Sequence, residues 1–408
     1  MMKTVKIYAW IVLVCCFSSS FYLYDFVIRV MPATMTQELM LHFNITTAGL
    51  GILSGLFFSS YMLMQIPSGM LFDRFNPRTI LSLAFLITSL SVLLFAATSS
   101  LWVANLSRII MGLASAFAFV GALIIGKHYC DKKYFAFYIG LVQCLGCLGA
   151  LIGTTPITFL THHASWQSII NGTGVAGIVL SIITYLTLRR PIKKAHTHQK
   201  KRPNLSVLMH KKTWIVGSYG FCVWAPVNLL GSLWGIPMLQ AIFGSSALEA
   251  SQYISLIWIA VALGAITLGY LSKHISKQTL MPLSACIGLI SGLLLHLMPT
   301  LIPSLLVLCM LGMGFSGSSM IFTYAQVTAN NPPQVHGTLI GFTNMMVILP
   351  GTTLLPLCGL LLKHLPEHIV ITNHYITNRY HLISAVVVVC FSIALGLSQW
   401  IKRLHLSE

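Results

Sequence analysis

Three ionisable residues, Asp25, Arg29 and Arg108, stand inside otherwise apolar runs. Asp25 and Arg29 are four positions apart, so a helix stacks them one turn apart on a single face, where they can pair. Arg108 sits in Asn105-Leu-Ser-Arg108-Ile-Ile-Met-Gly112-Leu-Ala-Ser-Ala116, about two turns in from the end of its run, too deep to reach water easily. A guanidinium there needs an acceptor, which Asp25, a solute carboxylate or both could supply. The set carries a net charge of +1, which favours an anionic group. Asp25 is also the one acid that falls within a long apolar run, and is therefore the leading candidate to carry a proton. Tyr22 and Tyr24 would add hydroxyl groups to the same pathway. The blander alternative is mutual neutralisation of Asp25 and Arg29 near lipid headgroups, with Arg29 reaching outward along its stem.

The elements that must hold these residues follow from composition. Apolar residues make up 56% of the 408 and charged ones 8%, against about 25% charged in an ordinary soluble domain. So much apolar surface needs lipid as its solvent, and in lipid every backbone polar group must be satisfied within the fold. Twelve segments are long and apolar enough to span: 8–31, 47–71, 79–98, 102–126, 136–160, 167–188, 214–240, 250–271, 280–300, 303–327, 337–362 and 382–401. Alternate loops put Lys3, Lys6, Arg74, Arg78, Lys132, Lys133, nine Lys or Arg between 189 and 212, Lys273, Lys277, Lys402 and Arg403 on one side. The other side receives Lys363 and Arg379. Basic loops stay inside, which makes both termini cytoplasmic and predicts a multi-pass membrane protein. The net charge of +17 is thus read as attraction to an anionic leaflet rather than to nucleic acid, for which the basic run lacks interleaved aromatics. The first segment runs on to Val30 without a cleavage pattern and is expected to be retained. Ten cysteines lie almost all inside spans, and Cys144-Leu-Gly-Cys147 reads as small packing residues rather than a redox pair.

A second stretch, Gly69-Met-Leu71-Phe-Asp73-Arg74-Phe-Asn76-Pro77-Arg78, closes the second span. Gly69 is expected to let two helices approach closely. A weaker copy, Gly269-Tyr-Leu271-Ser-Lys273-His274, lies 200 positions on, and the same offset relates Gly112 to Gly312 and Pro156 to Pro356. The chain is therefore expected to be two similar halves, 1–188 and 213–408, joined by a basic linker at 189–212. The charges do not repeat, since Asp25 aligns with Ala225, Arg108 with Leu308 and Asp73 with Lys273. The second half offers neutral groups instead: Trp224, Asn228, Gln252, Tyr324, Gln326 and Asn344. The fifth span is rich in glycine (Gly140, Gly146, Gly149, Gly153) ahead of Pro156, which favours close packing and bending. Histidines at His162, His163, His364, His368, His374 and His381 fall in loops on the far side and are expected to be solvated; no metal or cofactor is indicated.

Together these features resemble the major facilitator superfamily of transporters over essentially the whole chain. Gly69, Asp73, Arg74 and Arg78 match that family's Gly-x-x-x-Asp-Arg-x-Gly-basic-basic loop, with Asn76 in place of the second glycine, where a left-handed backbone would suit Asn. Arg108, Gly112 and Ala116 match its Arg-x-x-x-Gly-x-x-x-Ala motif. The resemblance implies an all-α fold of twelve transmembrane helices in two pseudo-symmetric six-helix bundles that rock about a central site. It also implies a conformational latch, in which Asp73 faces the positive end of the eleventh span and Arg74 pairs with an acid at the inner end of the fourth, the place held by Asp131. The Tyr-x-Tyr-Asp-x-x-x-Arg-x-x-Pro end of the first span is similar to a nutrient-uptake branch found in intracellular bacterial pathogens. The expected function is proton-coupled uptake of a small polar or anionic metabolite (amino acid, nucleoside or carboxylate) by a monomer. Efflux of a drug or siderophore, and a transporter-like sensor, are the competing readings. No converging nucleophile, acid and base suggests an enzyme.

Overall fold

The computed structural model describes residues 2–129, 132–188, 210–297, 302–329, 331, 336–366, 368–372 and 375–406; the side chains of 2–15, 66, 73, 74, 127–129, 132–137, 139, 140, 328, 329, 336–338, 368–372, 375–377 and 404–406 are not described. The order is α1 (Met2–Val30), a 3-10 turn (Met31–Thr34), α2 (Thr36–His42), α3 (Thr47–Arg74), α4 (Pro77–Ala97), α5 (Leu101–Tyr129), α6 (Lys132–Gly153), α7 (Thr155–Thr161) and α8 (Trp166–Thr187). After the linker come α9 (Lys211–Leu229), a π-helical turn (Leu230–Trp234), α10 (Gly235–Phe243), α11 (Ala247–Leu271), α12 (Lys277–Leu297), α13 (Pro303–Ser318), α14 (Ile321–Ala329), α15 (His336–His364), β1 (His368–Thr372), β2 (Tyr375–Asn378) and α16 (His381–Leu406). Among the described residues, eleven segments are long and apolar enough to cross a membrane, and α1, at 29 residues, takes the place of the twelfth expected span. The fold is thus the all-α membrane fold expected, apart from one antiparallel hairpin, β1–β2, that the sequence reading leaves as loop.

Two expected spans are broken and a third is irregular. The fifth breaks at Thr154 between α6 and α7, and the tenth between α13 and α14. The seventh keeps its path but widens into the π turn between Pro226 and Pro237, two residues that cannot donate to the helical ladder.

The contacts divide into two units, Met1–Arg29 with Leu56–Lys200, and Val30–Gly55 with Lys201–Glu408. In the first unit α1 is the innermost helix, with every residue from Tyr24 to Val30 buried. Phe21 stacks on Phe85 of α4 at 4.5 Å, Ser19 meets the Tyr138 hydroxyl of α6 at 3.0 Å, and Thr184 of α8 donates to the Phe17 carbonyl at 3.2 Å. A Cβ on Gly149 of α6 would fall on the Leu23 carbonyl, so this position admits no side chain. In the second unit the innermost element is α9 with its π turn, buried without interruption from Gly220 to Leu239 save a half-buried Phe221. Segment 30–55 belongs here because Thr47 donates to the Gly359 carbonyl at 2.9 Å and Gly51 lies against the Leu355–Pro356 backbone.

The 200-residue offset survives in the backbone. The described residues hold one non-glycine with positive φ, Asn44 at 49°, and one such glycine, Gly244 at 64°. They are repeat mates, each turning the chain just before a long helix, and Asn is the non-glycine residue that best tolerates that corner. The 3-10 turn at Met31–Thr34 and the π turn at Leu230–Trp234 also fall at matching positions.

Two expectations are corrected. Gly69 and Gly269 have no atom within 4 Å of where a Cβ would be, so neither serves a close helix contact. Gly112 does, because its absent Cβ leaves room for the Phe57 carbonyl and Ser60 of α3. Asn76 is not left-handed: its φ of −71° and ψ of 121° are extended, and its side chain caps α4 by accepting from the Arg78 N–H at 3.0 Å.

Candidate functional site: a buried charge cluster in the first unit

The last two turns of α1 present Asp25 and Arg29 on one face, and Arg29 Nη2 donates to Asp25 Oδ2 at 2.6 Å. Asp25 is wholly buried, Arg29 is 6% exposed and Arg108 is 3% exposed. Ser115 of α5 stands beside the carboxylate. Arg108 reaches over from α5, one turn before Gly112, and donates through Nη1 to the Ile28 carbonyl at 3.3 Å. That carbonyl belongs to the negative C-terminal end of α1, a favourable place for a cation. Both guanidinium groups act on the single Asp25 carboxylate. The sequence reading leaves open whether Arg108 answers to Asp25; the fold brings the three charges together.

Aromatic faces complete the enclosure. The Arg29 guanidinium lies 4.4 Å from the Phe26 ring centre and 4.8 Å from that of Tyr61, with Phe58 at 5.6 Å; Arg108 lies 4.8 Å from Phe57. Ring faces carry negative charge and stabilise a desolvated cation. Phe57 and Phe58 are absent from the sequence reading, and the one signal for them is their place on α3 one turn before Tyr61. Tyr22, three positions before Asp25, lies on the same side: its ring meets Phe26 and Phe119 at 5.0 Å and its hydroxyl donates to Gln143 Oε1 at 3.3 Å. Tyr24 points elsewhere, with its ring 5.1 Å from Phe85 and its hydroxyl close to Gly177. Neighbours along a helix differ in direction by about 100°, so Tyr22 and Tyr24 cannot share a face. Tyr61 of α3 stands in the place expected of Tyr24.

The neutral groups of the second half fall on four elements of their own unit, α9, α11, α14 and α15. Trp224 and Asn228 lie buried on α9, with Trp224 edge-on to Trp258 at 6.4 Å, and the π turn adds buried Ser232. Tyr324 donates to Asn344 Oδ1 at 3.0 Å, joining α14 to α15. Gln326 is buried, but it lines a cavity at one end of α9 and not the middle of the unit. Gln252, near the start of α11, is exposed.

Of the expected latch, Arg78 donates through Nε to the Tyr185 carbonyl at 2.9 Å and covers that residue's ring at 3.8 Å, tying the loop to the end of α8. Asp73 and Arg74 end α3, but their side chains, and all of Asp131, lie outside the described residues. His162 and His163 are exposed, as expected of solvated loop residues; His364 is exposed too, but it ends α15 rather than standing in a loop. His381 departs from that expectation: it is half-buried, 6.0 Å from the ring of His296, whose Nδ1 meets Ser384 Oγ at 2.9 Å. His368 and His374 lie outside the described side chains.

A family model described as Major Facilitator Superfamily matches residues 11–353. The probable galactarate/D-glucarate transporter GudP of Bacillus subtilis is 25% identical over 156 residues, 37% of this chain and 34% of its own length. The putative multidrug resistance protein MdtD of Pectobacterium atrosepticum is 28% identical over 257 residues, 61% of this chain and 50% of its own length. The chain thus spans a third to a half of these curated relatives. A bacterial homologue of the human lysosomal transporter Spinster, solved in an inward-facing and unoccupied conformation, superposes with a TM-score of 0.79 over 98% of both chains at 20% identity.

Proposed function

The chain belongs to the major facilitator superfamily, and from that premise we propose that it moves a small anionic or polar metabolite across the bacterial inner membrane together with a proton. The observation that carries this reading is the buried set Asp25, Arg29 and Arg108, which holds two cations and one anion out of water. With Asp25 ionised the set is +1 and draws an anion; with Asp25 protonated it is +2 and draws one more strongly. Proton and anion then favour each other's binding by the same factor, which is the thermodynamic core of cotransport. Similarity to a protein named for two sugar-acid anions supports the anionic class. Alternating access between two halves, both termini cytoplasmic, and a latch built on Asp73, Arg74, Arg78 and Asp131 belong to the same proposal.

Similarity to a putative multidrug resistance protein favours the second reading, efflux. Two steps separate the readings. A thermal-shift screen of purified protein across carboxylates, sugar acids, amino acids and nucleosides identifies a solute, because a ligand that binds the folded form raises its melting temperature. Uptake of that solute is then followed in proteoliposomes under an imposed pH gradient. Accumulation on the alkaline side that Asp25→Asn abolishes, while solute exchange persists, supports the proposal. Wild-type accumulation in that variant removes Asp25 from the role, and increased sensitivity of a deletion strain to toxic compounds, without uptake, gives the function to efflux.

A further inference from the structure

We propose that the neighbouring ends of α12 and α16 form a second, separate site, for a divalent transition-metal ion held between His296 and His381. His296 lies in the last turn of α12, and His381 opens α16. Their ring centres are 6.0 Å apart and their planes meet at 68°. The ring centres of two imidazoles on one ion stand about 5.3 Å apart at a tetrahedral centre and about 6.4 Å apart across a square-planar one, taking metal–nitrogen bonds of about 2.0–2.1 Å. The observed spacing falls between the two. Close packing holds it there: a Cβ on Gly288 of α12 would fall on the Phe391 ring of α16, so the two helices lie side by side.

Counting protons leaves a lone pair on each ring. Ser384, wholly buried, donates its one hydroxyl proton to the His381 carbonyl at 2.9 Å. Its Oγ also meets His296 Nδ1 at 2.9 Å, so in that contact the ring must be the donor. A neutral imidazole that donates through Nδ1 has a bare Nε2. The His381 ring stands in turn against the His296 carbonyl, and a ring N–H that donates to it leaves the other nitrogen bare. Two bare nitrogens on neighbouring rings cannot bond to each other, and one cation satisfies both.

Histidines that ligate metals are held in this way: one nitrogen is pinned by a carbonyl or another fixed oxygen, which sets tautomer and ring orientation, and the other faces the ion. Neutral imidazole suits Zn²⁺, Ni²⁺ and Cu²⁺ and not the hard cations Mg²⁺ or Ca²⁺. No third His, Cys, Asp or Glu completes a metal-binding group among the described residues, so water fills the remaining positions and the ion exchanges. Both rings are half-buried, which leaves the ion a route in. Arg379, two residues before His381, is tied to the Leu362 carbonyl of α15 at 3.5 Å. The site lies wholly in the second unit and stands apart from the transport reading.

The test is binding of Cu²⁺, the tightest of these ions, to the purified full chain in neutral detergent and without a histidine tag. Electron paramagnetic resonance at one equivalent is expected to show coupling to two imidazole nitrogens. His296→Gln and His381→Gln are each expected to weaken binding roughly a hundredfold and to lose the two-nitrogen signal, because a direct ligand matters at least as much as the outer partners, whose loss costs about 10–100-fold. Ser384→Ala, which keeps both ligands and frees one ring, is expected to keep the two-nitrogen signal and bind about tenfold more weakly. His364→Gln, an exposed histidine outside the pair, is expected to bind as wild type does. Should the ligand variants fail to fold, wild type is treated with diethylpyrocarbonate, and Cu²⁺ is expected to protect His296 and His381 from modification. Wild-type affinity and spectrum in either ligand variant overturn the site, as does modification of both histidines at the same rate with and without Cu²⁺.

Discussion

Asp25 depends on its two arginines, because a carboxylate stripped of water and left alone costs several kcal/mol. Removing one partner is therefore worse than removing the pair. Arg29→Gln is expected to lower stability by about 3–5 kcal/mol, and Asp25→Asn/Arg29→Gln to recover part of that loss. Chemical denaturation of the four proteins in detergent measures the coupling; strictly additive losses would show that the 2.6 Å contact carries no energy of its own. The pairing of Asp25 with Arg29 was legible in the sequence, since spacing on one helix suffices for it. The cage was not: Phe57 meets the Arg108 guanidinium where Gly112 lets α5 lie against α3, Phe58 meets Arg29 across from α1, and no local pattern encodes either contact.

Among the elements, the start of α4 separates two accounts of the loop that precedes it. A capping Asn76 tolerates Gly at a cost of a few tenths of a kcal/mol but loses about 1 kcal/mol on replacement by Ala. A left-handed Asn76 would instead gain from Gly. Melting temperatures of Asn76→Gly and Asn76→Ala distinguish them, and the extended backbone predicts the first pattern. The spans themselves were easy to read, since twenty apolar residues in lipid have few alternatives to a helix. Their interruptions were not. The π turn needs an extra residue accommodated between Pro226 and Pro237, and apolar content is blind to a change in helical pitch. The family motif suggested a glycine-like corner at position 76, whereas the corner the repeat preserves is at Asn44 and Gly244.

At the scale of the whole molecule, charge is divided more sharply than structure. The matching backbone corners and irregular turns recur 200 residues apart, while the described buried acid and its two arginines belong to one unit. Duplication fixes helices through the bilayer's demand for satisfied backbone, and leaves side chains free to specialise. The proposed orientation is checked with reporters: a fluorescent protein fused after Glu408 is expected to be bright in bacteria, and alkaline phosphatase fused after Leu297 to be active. The opposite pattern would invert the molecule and place the basic surface outside.

A single titratable carboxylate also limits the currency of the cycle. If Asp25 is the carrier, each turnover takes one proton through this cluster, because no second buried acid stands among the described residues. A monovalent anion would then travel electroneutrally, indifferent to a membrane voltage that is worth about 2.3 kcal/mol per charge at 100 mV. A divalent one would be opposed by an inside-negative potential and accumulate less as voltage rises. Transport currents across a voltage-clamped bilayer would therefore report the valence of the cargo.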